Sequence, residues 1–170
     1  MVMDRNKIKM VVMDVDGTLT DGKIYMGKDG EVFKAFNAKD GLRIRQLPKF
    51  GIIPVIITGR QSSILTRRAE ELGISEVYQG ISNKPKVLNT LLDKYGLEYA
   101  NIAYIGDDEN DYTAMSLCGV KGCPRDAAHA ILNIADFVSK RDGGNGAVRD
   151  FLDFILEDKL AKQDLNCEYE

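Results

Sequence analysis

Short, nearly uninterrupted apolar runs recur along the chain, with helical patterns between them. Ile8 to Met13 and Ile52 to Ile57 are the clearest, the second broken only by Pro54 near its start. Glu76 to Gln79 and Ile102 to Ile105 are shorter, and Val120 to Cys123 and Asp136 to Val138 complete the series. Runs of this kind suit parallel strands covered on both faces. Between them, Ser62 or Ser63 can cap a helix through Leu72, stopped by Gly73. Asn83 can cap another, with Pro85 in its first turn, Leu88, Leu91 and Leu92 on its buried face, and Gly96 at its end. Further helices are predicted near Ala38 to Phe50, Asp111 to Leu117 and Ala147 to Leu156. Strands alternating with helices predict an α/β fold, a Rossmann-like, doubly wound, mostly parallel sheet.

A chain of 170 residues can bury one sizeable core. Residues 1–160 read as a single domain and residues 161–170 as a polar C-terminal tail. Lys and Arg number 23 against 26 Asp and Glu, a net charge of -3, which argues against a nucleic-acid or anionic-membrane binder. No apolar run approaches the roughly 20 residues of a membrane span. Cys118, Cys123 and Cys167 form no CxxC pair and no disulfide framework, so a cytoplasmic, reducing location is expected. His129 reads as a surface residue on a polar helix.

One segment departs from the alternation. Lys23 to Met26 and Glu31 to Phe36 flank Gly27-Lys28-Asp29-Gly30, the pattern of a protruding β-hairpin. Its second arm carries apolar residues on both faces. A two-stranded ribbon of that kind is marginal alone in water, so it either folds back on its own domain or packs on another subunit.

The polar residues that can do chemistry sit where strands end. Asp14 and Asp16 follow the first strand two positions apart, so an extended backbone aims both to one side. Adjacent carboxylates repel unless a cation or a shared proton compensates. Thr58 and Gly59 end the second strong strand, where a hydroxyl and backbone N–H groups can hold a phosphate oxygen. Lys84 opens a helix, a position that does not favour a cation. Asp107, Asp108, Glu109 and Asp111 crowd the loop after Ile105. Part of that cluster can cap the following helix, but such hard carboxylate ligands are also a natural site for Mg²⁺. Each block alone is a weak signal, since Asp, Gly and Thr are ordinary loop residues. Together they place acids, a hydroxyl and a lysine on one edge of a sheet, where ligands of open α/β folds bind.

The order Asp-x-Asp, Thr, Lys, Gly-Asp-Asp resembles the haloacid dehalogenase superfamily over nearly the whole chain. The resemblance implies a phosphatase with an aspartyl-phosphate intermediate and a Mg²⁺ cofactor. It assigns Asp14 as nucleophile and Asp16 as general acid/base. Thr58, Gly59 and Lys84 would bind the phosphoryl group. Asp14, the Asp16 backbone carbonyl and Asp107 would hold the metal, with Asp108 and Asp111 in support.

Gly22 to Ile52 and Gly73 to Ile102 are too short for a cap domain. The blocks Asp14 to Gly22, Lys34 to Gly41, Ile57 to Ile74, Tyr104 to Asp111 and Gly143 to Asp150 resemble the capless 3-deoxy-D-manno-octulosonate 8-phosphate phosphatases. That branch implies a sugar acid phosphate as substrate and a homotetramer assembled through the 23–36 hairpin. Arg60 would meet the substrate carboxylate, as an Arg fork suits one. Lys34, Asn37 and Asp40 would line the mouth of the site, and Arg67 and Arg68 could reach a neighbour, Arg68 towards its substrate. Phosphatases of nine-carbon, sialic-acid-type phosphates are the alternative. A catalytically silent oligomerisation module should have lost a motif acid or Lys84, and all are present. A phospho-accepting signalling receiver places its acid pair first and its accepting Asp centrally, an order this chain does not follow.

Overall fold

The computed structural model describes residues 4–164. Its main sheet holds six parallel strands in the order β5-β4-β1-β6-β7-β8. These are β1 (Met10–Met13), β4 (Ile53–Ile57), β5 (Glu76–Tyr78), β6 (Ile102–Ile105), β7 (Val120–Cys123) and β8 (Phe137–Val138). The helices are α1 (Ala38–Gln46), α2 (Ser63–Leu72), α3 (Lys84–Tyr95), α4 (Glu109–Leu117), α5 (His129–Ile134) and α6 (Ala147–Asp164). No helix among the described residues is long and apolar enough to cross a membrane.

Successive strand residues face opposite layers, which fixes both halves of the core. Val11 and Met13 join Ile44, Leu65, Phe151 and Leu152 under α1, α2 and α6. Met10 and Val12 join Leu88, Leu91, Met115 and Ile131 under α3, α4 and α5. Both layers being covered explains why the strands are apolar without alternation. Pro54 is accommodated because β5 pairs with β4 only from Val55 onward. Ser62 and Asn83 cap α2 and α3 through Leu65 and Lys86 N–H, and Gly73 and Gly96 end them in the left-handed conformation.

Several boundaries differ from the sequence expectation. Pro48 follows α1 closely, and Leu47–Phe50 form a 3₁₀ turn instead of more α-helix. α5, the polar helix that carries His129, is six residues long and has no side-chain cap. α6 continues through Asp164, so residues 161–164 are helical. Residues 165–170, including Cys167, lie outside the described residues. The hairpin is β2 (Tyr25–Gly27) against β3 (Gly30–Phe33), with a tighter turn than the four residues expected and Tyr25 stacked on Phe33. Ile24, Met26, Val32 and Phe33 are exposed on it.

Candidate active site

β1 lies between β4 and β6, and the chain leaves it in opposite directions for the two halves of the sheet. The crevice beyond such a switch point is where open α/β sheets bind ligands. Asp14 stands at the end of β1, Thr58 at the end of β4 and Asp107 just past β6. A cleft of about 300 Å³ opens there, lined by Asp14, Asp16, Gly22, Thr58, Gly59, Arg60, Asp107, Asp108 and Asn110.

Beneath the cleft, α3 delivers Lys84 into the protein with only 2% of the residue exposed. Its ammonium donates to Asp14 Oδ1 at 2.7 Å and to Asp111 Oδ1 at 2.6 Å. Burial works against this charge, but the two carboxylates outweigh it and raise the lysine pKa. They also account for a lysine at a helix start, where the backbone dipole disfavours it. Asp111 accepts further hydrogen bonds from Tyr104 OH at 2.8 Å and from Asp107 N–H at 3.3 Å. It is therefore fully engaged by protein donors.

Carboxylate oxygens of Asp14, Asp107 and Asp111 lie within 4.8 Å of one another, facing a single ammonium. Burial first, then Asp111, pushes the Asp14 pKa up to about 8 despite Lys84. Burial also lifts Asp107 to about 6, against a hydrogen bond from Thr18. Carboxylates held together this way favour protonation unless a cation joins them. The uncommitted donors belong to Asp14 and Asp107, hard oxygens of the kind Mg²⁺ takes, so the residues fit that ion.

The loops that carry these groups are fixed by close backbone approach. Gly17 has φ +96°, and a Cβ there would collide with the Asp107 carboxylate. Thr18 Oγ1 donates to Asp107 Oδ1 at 2.8 Å, tying the β1 loop to the β6 loop. Gly143 and Gly144 press against Gly17, Thr20 and Asp21, and Gly144 N–H donates to Thr18 O at 3.1 Å. Thr58 N–H donates to Tyr78 O at 2.9 Å, and its carbonyl accepts from Ile81 N–H at 3.0 Å. The Thr58 backbone is thus held from the β5 side while Gly59 and Arg60 stay exposed.

Residues 63–152 match the family model for haloacid dehalogenase-like hydrolases. The Escherichia coli K12 3-deoxy-D-manno-octulosonate 8-phosphate phosphatase KdsC is 42% identical over 149 residues, 88% of this chain and 79% of that protein. This chain belongs to the haloacid dehalogenase-like hydrolases, in the branch of these phosphatases. Among solved structures of the branch, the Yersinia pestis enzyme is 42% identical with a TM-score of 0.89, covering 94% of this chain and 88% of that one. The Moraxella catarrhalis phosphatase, in complex with magnesium, phosphate and a KDO molecule, is 39% identical with a TM-score of 0.88 and covers 94% of both chains.

In this haloacid dehalogenase-like phosphatase, Asp14, Asp16, Thr58, Gly59, Arg60, Asp107 and Asp108 share one cleft, with Lys84 and Asp111 directly below. Asp108 caps α4, accepting from Glu109 N–H at 2.8 Å. Lys34 reaches the cleft from the hairpin side and donates to Asp16 Oδ1 at 2.5 Å. Asn37 and Asp40, expected at the substrate mouth, and Arg68, expected to reach a neighbour, have other partners within the chain. Asn37 caps α1, accepting from Lys39 N–H at 2.8 Å. Asp40 is buried under α6, with Oδ1 accepting from Arg149 N–H at 2.8 Å and Oδ2 unpartnered. Arg68 lies over the Phe36 ring and pairs with Glu71 at 3.2 Å. All three line a small apolar pocket between α1 and α2 instead of the cleft. Sequence reasoning missed Thr18, Tyr104, Ser62 and Glu31. Tyr104 looked like one more core aromatic in an apolar strand, and the only signal at Thr18 was its place inside the loop after Asp16.

Proposed function

We propose that this phosphatase is a Mg²⁺-dependent enzyme that hydrolyses 3-deoxy-D-manno-octulosonate 8-phosphate to the free sugar acid and phosphate. The observation that carries the reading is the buried Lys84 bridge to Asp14, with Asp107 alongside and Thr58 across the cleft. One Asp14 oxygen is held by Lys84, and the other is left to attack phosphorus. As the phosphorus–sugar oxygen bond breaks, Asp16 gives its proton to the leaving alkoxide. Asp16 then takes a proton from water, whose oxygen attacks the phosphorus of the aspartyl-phosphate and frees Asp14 and inorganic phosphate. The Thr58 hydroxyl and Gly59 N–H hold phosphoryl oxygens, while Lys84 offsets charge on the carboxylates. Asp14, Asp107 and the Asp16 carbonyl would hold Mg²⁺, which when bound neutralises charge on the carboxylates and on the phosphoryl group. Asp111 holds Lys84 and Asp107 N–H in place, and Asp108 supports the loop by capping α4.

The substrate carboxylate falls to Arg60, whose side chain is 46% exposed at the cleft rim. A phosphate-release screen across sugar acid phosphates tests the assignment. The eight-carbon acid phosphate should be preferred over esters lacking a carboxylate. Arg60→Ala should lower kcat/KM on it roughly 10- to 150-fold, the loss of one charge-assisted hydrogen bond, and leave p-nitrophenyl phosphate nearly unaffected. Preference for a nine-carbon acid phosphate would reassign the substrate. Equal losses on both esters would move Arg60 to the phosphate site or the fold.

Residues 1–160 form one phosphatase domain in this reading, and the free, buried thiols of Cys118 and Cys123 suit the reducing cytoplasm. The assembly is a homotetramer through residues 23–36. The exposed Met26, Val32 and Phe33 of the hairpin support this, at 62%, 59% and 49%. Sedimentation should show a species about four times the 18.9 kDa chain. A fully active monomer would contradict the assembly.

A further inference from the structure

Glu31 stands where the hairpin, the start of α2 and the acid pair of the cleft meet. One of its carboxylate oxygens lies 2.9 Å from Lys34 Nζ. The other accepts from Ser62 Oγ. Ser62 is itself fixed, since its hydroxyl accepts from Leu65 N–H at 3.2 Å and its own N–H donates to Gln79 Oε1 at 2.7 Å. Lys34 then donates to Asp16 Oδ1, and its side chain is only 3% exposed. Arg60 Nε lies 3.8 Å from the second Asp16 oxygen, Oδ2. A lysine ammonium on a four-carbon stem is not fixed by a single contact, because its rotamer freedom must be offset by more than one partner. Glu31 supplies the second contact, from a fixed point.

We propose that Glu31 is a positioning residue for Asp16. Anchored on Ser62, it holds Lys34 against Asp16 Oδ1, so that Oδ2 is the oxygen that meets the leaving group. The proposal rests on the reading of Asp16 as the general acid/base. In the first step an Asp14 oxygen bonds to phosphorus as the phosphorus–sugar oxygen bond breaks, the electron pair of the broken bond stays on the sugar oxygen, and the proton on Asp16 Oδ2 moves to that oxygen. The Asp16 carboxylate so formed lies between the Lys34 and Arg60 cations. The same chain of contacts ties Asp16 to Ser62, two positions after Arg60 at the start of α2.

The test is first-turnover release of the leaving group from the sugar acid phosphate and from p-nitrophenyl phosphate, whose leaving group departs without a proton. Wild type, Glu31→Gln, Lys34→Met, the double variant and Asp16→Asn are compared. Inhibition by inorganic phosphate reads the phosphate site. Glu31→Gln should slow release from the sugar acid phosphate about 10- to 100-fold, the usual cost of a misplaced reacting group. It should spare p-nitrophenol release and phosphate inhibition. The double variant should be no slower than Lys34→Met alone, because Glu31 acts through Lys34. Should Glu31→Gln fail to fold, Ser62→Ala removes the same anchor and should give the same ester-selective loss. Additive losses, equal losses on both esters, or unchanged kinetics would overturn the proposal. Undiminished activity of Asp16→Asn would instead remove the acid/base reading beneath it.

Discussion

Lys84 Nζ meets Asp14 Oδ1 at 2.7 Å, a contact between residues 70 positions apart that joins the first turn of α3 to the end of β1. The same ammonium meets Asp111, so one buried cation holds two carboxylates that would otherwise repel. Removing one partner of a buried ionic cluster leaves uncompensated charge. Lys84→Met should therefore lower stability by about 3–5 kcal/mol in urea unfolding at neutral pH and abolish turnover. A variant as stable as wild type would show that the bridge does not compensate Asp14 and Asp111.

Gly17 sits against the Asp107 carboxylate with φ +96°, so a side chain there meets both a strained backbone and an occupied space. Gly17→Ala should displace Asp107 and raise the Mg²⁺ concentration for half-maximal activity roughly 10- to 100-fold, as is usual when the support of a metal ligand is disturbed. Titration of activity with Mg²⁺ reads this directly. An unchanged midpoint would separate Asp107 from the metal.

Asp40 gives a pH signature independent of the cleft. Burial raises its pKa from 3.8 to about 6, against a hydrogen bond from Arg149 N–H. The folded protein therefore binds this proton more tightly than the unfolded chain. The stability so gained is fully present below about pH 4 and is lost as pH rises through about 6. Asp40→Asn keeps an acceptor for Arg149 N–H and removes the ionisation. It should leave stability nearly unchanged at pH 4 and raise it by about 1–3 kcal/mol at pH 8, measured by urea unfolding at both pH values. A lower stability at pH 8 would mean that the ionised Asp40 is paired.

The parts of the site that were legible in the sequence are those fixed by strand ends. Asp14, Thr58 and Asp107 each follow an apolar run, and the parallel sheet brings such ends to one edge whatever the surrounding detail. Lys84 was legible because Asn83, Pro85 and Gly96 mark where α3 starts and stops. Asn37 and Asp40 were not, because their places depend on how α1 is rotated against the sheet. The seam between α1 and α6 decides that rotation: Arg43 pairs with Asp153 at 2.6 Å, and Asp40 is taken up by the backbone of α6. Glu31 was read only as one face of a ribbon, since nothing local indicates that a hairpin residue reaches Ser62, 31 positions on.

In this mechanism Asp14 carries the phosphoryl group. The decisive measurement is phosphate release from 3-deoxy-D-manno-octulosonate 8-phosphate by wild type and Asp14→Asn, each with Mg²⁺ and with excess EDTA. Wild type with Mg²⁺ should turn over, and the other three samples should release no phosphate above the uncatalysed background. Turnover by Asp14→Asn, or by wild type in EDTA, at the rate of wild type with Mg²⁺ would rule out a phosphoryl group carried on Asp14 with Mg²⁺.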